Sequence, residues 1–114
     1  MKQLTKSFER AIKGILTTWR EEANFRIELL AGIGILLLAK YLEFSMIEWI
    51  IVIVCIGAVL AAEMANTAIE DLCDRVEPSY DPIIGKIKDV MGGFVLVVAL
   101  ASASVGIIIF SSHV

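Results

Sequence analysis

From Val90 to Phe110 the chain carries no charged residue, and that stretch restricts the fold more than any other feature. A helix needs about 20 apolar residues to cross the hydrocarbon layer of a bilayer, and this segment is long enough to do so alone. Two further apolar segments precede it. One covers residues 27–42 and holds the uncharged run LLAGIGILLLA; the other covers residues 45–73 and is uncharged from Trp49 to Ala62. The first is short for a span, but Arg26 and Lys40 can snorkel from its ends, with Glu28 at its start. Hydrophobic residues make up 58% of the 114, against roughly 45–50% in soluble domains. A soluble chain of this length has too small an interior to hide that surface, and lipid is the simpler solvent.

Three spans place the N-terminus and residues 74–89 on one side of a membrane and the turn at 40–46 on the other. Of the ten basic residues only Lys40 then lies on the far side. The excess of Lys and Arg puts the N-terminal side in the cytoplasm. The net charge of −3 gives no reason to expect a nucleic-acid partner.

Before the first span, Leu4, Phe8, Ile12, Ile15, Leu16 and Trp19 recur at helical spacing, with Lys6, Arg10, Lys13 and Arg20 directed elsewhere. Such a basic amphipathic helix suits the membrane interface, Trp19 lying at headgroup level. The alternative is an ordinary helix packed on its own bundle. The charged N-terminus has no apolar core followed by small residues, so no cleavable signal peptide is expected. Cys55 and Cys73, if on one helix, stand roughly 27 Å apart at about 1.5 Å per residue and read as buried thiols rather than a disulfide. The reading is therefore a single all-α membrane domain over 1–114. It comprises a surface helix (1–26), transmembrane helices (27–42, 45–73 and 90–110) and a cytoplasmic loop (74–89) broken by Pro78 and Pro82. Three helices form a thin bundle, and Ala99-xxx-Ala103 and Ser102-xxx-Gly106 let helices approach closely, so self-association is expected.

Chemistry concentrates where the second span ends. Glu63, Asn66, Thr67, Glu70 and Asp74 recur at i, i+3, i+4, i+7 and i+11 and share one helical face. Glu63 directly follows the fourteen uncharged residues from Trp49 to Ala62, so the stripe dips into the membrane. A carboxylate there is costly and points to a functional site with a partner, although a ladder gluing helices together is the plainer reading. Glu21, Glu22, Asn24, Arg26 and Glu28 precede the first span, and Lys88 and Asp89 precede the third. Phosphoryl transfer needs such a set. Magnesium takes hard oxygen ligands, a lysine neutralises charge on the transferred group, and a further carboxylate accepts the proton of the attacking hydroxyl. The deeper Glu63 suits a base that meets a lipid hydroxyl. No Walker, Rossmann or protein-kinase motif is present. Gly32-x-Gly34 lies inside a span, and His113, the only histidine, lies at a C-terminus expected to fray. The residues alone reach a polar, metal-compatible site at the membrane edge.

The run Glu63-Met64-Ala65-Asn66-Thr67-Ala68-Ile69-Glu70, with Asp74 and the later Gly85-Lys86-Ile87-Lys88-Asp89, resembles the prokaryotic diacylglycerol kinase and undecaprenol kinase family. Lys6-Ser7-Phe8, Lys13-Gly14 and Glu22-Ala23-Asn24-Phe25-Arg26 extend the resemblance over essentially the whole chain. It implies a homotrimer in a bacterial inner membrane, with active sites shared between subunits, using ATP and Mg2+. By the same resemblance Glu63 is the catalytic base. Glu22 and Glu70 hold the metal with the nucleotide phosphates, and Asn66 supports them. Lys88 contacts phosphate, Asp89 and Asp74 order the rim, and Arg10 and the segment Ser79 to Asp81, Tyr80 above all, meet the nucleotide. The lipid enters near Trp19, Glu28 and Trp49, with Arg26 in support. Asp81 stands where many members carry histidine, and Gln3 and Arg10 differ from the residues that the diacylglycerol-type enzyme places there. Met46-Ile47-Glu48-Trp49-Ile50 is similar to the undecaprenol branch and Asp74-Arg75-Val76 to the diacylglycerol branch, so either lipid alcohol is open. The alternative is a small proton-coupled transporter using Glu63, which has no use for Lys88-Asp89 or for the pair Glu22 and Glu70.

Overall fold

A computed structural model describes residues 1–77, 79 and 81–114; the expected contributions of Pro78 and Tyr80 lie outside the described residues. The architecture is all-α. Four helices follow one another: α1 (Lys2–Glu21), α2 (Ala23–Tyr41), α3 (Met46–Val76) and α4 (Pro82–Ser111). Two of them, α3 and α4, are long and apolar enough to cross a membrane. The shorter α2 carries Arg26, Glu28 and Lys40 within its 19 residues.

Two boundaries differ from the sequence reading. The N-terminal helix stops at Glu21 rather than 26, because Glu22 takes an extended conformation (φ −115°, ψ 109°) and residues 23–26 open α2 instead. The presumed loop 74–89 is mostly helical, since α3 continues to Val76 and α4 begins at Pro82. Proline at the first helical position costs no hydrogen bond there. The Asp81 side chain accepts from the Ile83 and Ile84 amides at 2.8 and 3.3 Å, so the turn chemistry itself starts α4 early.

The apolar stripe of α1, from Leu4 through Phe8, Ile12, Ile15 and Leu16, is exposed along its length. Only the end of the helix meets the bundle, where Thr18 is buried and Trp19 half-buried. Within the single chain, the described residues of the bundle leave that apolar face uncovered.

The α2–α3 connection is a tight helical hairpin. Phe44 N–H donates to the Ala39 carbonyl at 3.1 Å and Glu43 N–H to the Lys40 carbonyl at 3.2 Å, the paired bonds of a Schellman ending. Glu43 takes the left-handed conformation (φ 57°) that this ending requires. For an L residue that costs about 1–2 kcal/mol, offset by burial of Phe44 against Ala39, Val52 and Ile109. α3 then starts with a reciprocal cap. Ser45 Oγ accepts from the Glu48 amide at 3.2 Å, while Ser45 N–H donates to Glu48 Oε1 at 2.9 Å.

His113 is not frayed. Its ring stacks on Phe44 at 4.9 Å, and Nε2 lies 3.0 Å from each carboxylate oxygen of Glu48, tying the end of α4 to the start of α3. The Phe44, Trp49 and Phe110 rings close the same end of the bundle. His113→Ala should lower the melting temperature, through the lost hydrogen bond to Glu48 and the lost ring contact with Phe44. Thermal unfolding in detergent, followed by circular dichroism, checks this.

Candidate functional site

Close approach of α2 and α3 sets the site. A Cβ on Gly32 would stand 2.9 Å from Ile56 Cγ2, so only glycine admits this contact. The two helices run back from the hairpin together, which brings Glu28, one turn before Gly32, against Glu63 on α3. The two carboxyl groups are close enough to act on each other electrostatically. Glu63 is buried, and Glu28 Oε2 is buried with no protein partner. Two acids facing each other at the end of an apolar stretch form the most unusual feature of the chain.

The rest of the stripe continues along α3. Thr67 donates its hydroxyl to the Glu63 carbonyl at 3.0 Å, satisfying itself locally. Asn66 Nδ2 donates to Glu70 Oε1 at 3.2 Å, whereas Asn66 Oδ1 is buried without a partner. One turn further, Asp74 Oδ1 accepts from Lys88 Nζ of α4 at 2.5 Å. This hydrogen bond raises Lys88 above the ordinary lysine value of 10.5, against a smaller opposing effect of desolvation. Lys88 lies outside the charge-free span and stays cationic through the neutral range. A raised lysine keeps its pairing below its ordinary value and loses it only as pH climbs past the raised one.

The corner between α1 and α2 carries the other expected ligand. Arg26 Nη1 donates to the Trp19 carbonyl at 2.7 Å and the Arg20 carbonyl at 3.0 Å, folding α1 back at the half-buried Glu22. Phe25 is fully buried beneath this corner.

The candidate residues therefore fall into groups. Glu28 with Glu63, Asn66 with Glu70, and Asp74 with Lys88 are brought together. Glu22 stands on the α1–α2 corner, while Arg10 on α1 and Asp89 on α4 are exposed. Trp49, fourteen residues before Glu63, lies about 21 Å along α3 at 1.5 Å per residue, so it does not join Trp19 and Glu28. Among the described residues no three His, Cys, Asp or Glu side chains gather closely enough to hold a metal ion. What the chain does offer a hard cation is oxygen: a second Glu70 oxygen, and the unpartnered Asn66 Oδ1 and Glu28 Oε2. Those donors suit magnesium, which commonly binds one or two carboxylates and takes its remaining ligands from water and nucleotide phosphates.

Beside the acid pair, a groove of about 460 Å³ runs between α2, α3 and α4, from Glu28 at one end to Phe110 at the other. Its α4 wall is built from Ala99, Ser102, Ala103 and Gly106, so small residues widen it rather than filling it.

Two contacts escaped the sequence reading. Glu28 as the partner of Glu63 was readable from the hairpin: both lie at similar distances from the turn at 42–45, and helices joined by so short a turn must run antiparallel. The Asp74–Lys88 pair had no comparable signal, because it depends on where α4 begins.

The family model described as prokaryotic diacylglycerol kinase matches residues 9–110. An undecaprenol kinase of Bacillus subtilis (strain 168) is 37% identical over 105 residues, covering 92% of this chain and 85% of that protein. A diacylglycerol kinase of Escherichia coli (strain K12) is 30% identical over 101 residues, covering 89% and 83%. Another, from Synechocystis, is 31% identical over 101 residues, covering 88% of this chain and 58% of the longer relative. The all-α fold with its long apolar helices thus belongs to a membrane-associated phosphotransferase class. The chain is a member of the prokaryotic diacylglycerol kinase family, and it is a lipid kinase. None of these matches supports a transporter.

Replacing Arg26 by Ala removes the only side-chain donor to the Trp19 and Arg20 carbonyls among the described residues. Amide hydrogen exchange across residues 19–26 should quicken, with a loss of about 1–3 kcal/mol in local stability.

Proposed function

We propose that the chain transfers the γ-phosphoryl group of ATP, with Mg2+, to the hydroxyl of a membrane lipid alcohol, either undecaprenol or diacylglycerol. The products are undecaprenyl phosphate or phosphatidic acid, with ADP. The observation that carries this reading is the buried Glu63 facing Glu28 beside an apolar groove. An alcohol whose hydrocarbon tail lies in that groove presents its hydroxyl at the acid pair. The names of the relatives, an undecaprenol kinase and diacylglycerol kinases, support both lipids.

Glu63 takes the proton from the lipid hydroxyl as its oxygen bonds to phosphorus and the bond to the ADP oxygen breaks. Glu28 orients Glu63 and contacts the arriving alcohol. Glu70, held by Asn66, and Glu22 at the α1–α2 corner bind the metal-bound nucleotide. Lys88 contacts phosphate, Asp89 orders the rim beside it, and Arg10 and Tyr80 reach the rest of the nucleotide. Magnesium held by Glu70 and Glu22 would supply positive charge that offsets that of the phosphates as the hydroxyl approaches. Trp19 and Trp49 flank the lipid at the two ends of the bundle, consistent with a long tail rather than a compact substrate.

The same reading takes α2 as a third span, with its charges Arg26 and Lys40 at the two boundaries. The N-terminus is cytoplasmic and the membrane is the bacterial inner membrane. Three copies complete the assembly: among the described residues one chain gathers no three acid, Cys or His side chains around a metal, and a neighbour's α1–α2 corner supplies Glu22.

Purified protein in lipid should move labelled γ-phosphate to undecaprenol or diacylglycerol only when a divalent cation is present. Labelling of neither lipid ends the proposal. Glu63→Gln should lower turnover by at least about a hundredfold, in line with the loss of a general base, while Mg-ATP affinity is retained. Glu70→Gln should instead weaken Mg-ATP binding in calorimetry, and an unchanged affinity would remove Glu70 from the metal site.

A further inference from the structure

Lys88 has two carboxylates to choose between. It touches Asp74, and Glu70, one turn earlier on the same face of α3, lies near enough for its charge to act on the ammonium group. The choice matters on the reading of Glu70 as a metal ligand, on which the following inference rests. Glu70 keeps one oxygen engaged by the Asn66 amide and has no protein donor on the other among the described residues. An ammonium group on that second oxygen would occupy the place of a cation.

We propose that Asp74 is a positioning residue: it holds the Lys88 ammonium away from Glu70, leaving Glu70 free for the metal-bound nucleotide and Lys88 free to pass to the phosphate. The geometry suits an exchangeable partner rather than a permanent one. The Asp74 side chain is 65% exposed and that of Lys88 38%, and ion pairs in such surroundings are weak. An arriving phosphate, with more negative charge than one carboxylate, can therefore displace Asp74. The placement is built into the chain ends. Asp81 and Pro82 fix where α4 starts, so Lys88 projects back toward the end of α3. Asp74 is the last acid of the stripe and meets it first.

The test uses the full chain in detergent with Mg-ATP. Asp74→Asn frees Lys88 to pair with Glu70. Calorimetric Mg-ATP affinity should weaken roughly fivefold, the size of a partly exposed ion pair. The Mg2+ concentration for half-maximal transfer should rise by a similar factor, a larger change than any in turnover at saturation. Asp74→Glu should restore both constants. The decisive variant adds Lys88→Met to Asp74→Asn. If Lys88 capture is the cause, the double variant regains the wild-type Mg2+ requirement even though turnover falls. A merely structural role would lower turnover and the melting point and leave the Mg2+ requirement alone. Asp74→Ser provides the same comparison should the Asn variant fold poorly. Wild-type Mg2+ dependence in Asp74→Asn or Asp74→Ser, or no recovery in the double variant, overturns the inference. Absence of transfer by the wild type overturns the kinase reading, and this inference with it, so the two failures are distinct.

Discussion

The contact of Gly32 with Ile56 is the constraint on which the rest depends. Where a side chain of one helix seats this closely over a glycine of the other, their relative height is fixed by a single knob and a single gap. The hairpin at 42–45 sets that height from the other side, through the Schellman bonds of Phe44 and Glu43 and the cap between Ser45 and Glu48. Between these two fixings Glu28 has no freedom to slide along α3, and it arrives at Glu63. A shift of one residue would turn Glu28 through about 100° and away from the partner acid. The geometry of the acid pair is thus a consequence of helix packing some distance away.

The acid pair also explains why α2 departs from an ideal span. Glu28 is costly in lipid and lowers the apolar character of the helix, as do Arg26 and Lys40. Each has a physical reason to be there. Arg26 closes the α1–α2 corner on two carbonyls. Glu28 faces Glu63. Lys40 donates its amide into the helix and places its charge in the last turn, where the helix dipole is favourable to a cation. A helix selected only to cross the bilayer would carry none of the first two.

Much of the fold was legible because its signals are local. The charge-free run from Val90 to Phe110 and the period of Leu4, Phe8 and Ile12 each specify a helix without help from distant residues. The stripe from Glu63 to Asp74 likewise follows from spacing on one element. The boundaries were less legible where side chains decide them. Pro82 looks like a breaker until Asp81 is seen capping the helix it begins, and His113 looks free until Glu48 and Phe44 are seen to hold it. Pairings between elements were hardest. Glu28 with Glu63 required the hairpin register, and Lys88 with Asp74 required the starting point of α4.

The balance of burial says what kind of site this is. The hydrophobic core reduces to a handful of residues, Phe25 under the corner and the Ala39, Phe44, Val52 and Ile109 cluster near the far end. Between them the three long helices leave a groove instead of a packed interior. A bundle this thin has no depth in which to enclose a substrate, as a soluble enzyme would. It has the opposite advantage. On the proposed function, a lipid alcohol in the surrounding layer would need only to slide sideways into the groove, while a water-soluble phosphate donor would meet the polar ends of α3 and α4. Along one face of α3 the buried Glu63 gives way to the half-buried Glu70 and then to the exposed Asp74. A kinase of the proposed kind would join substrates from two phases through acids spaced along a single helix, with the buried Glu63 where those phases meet.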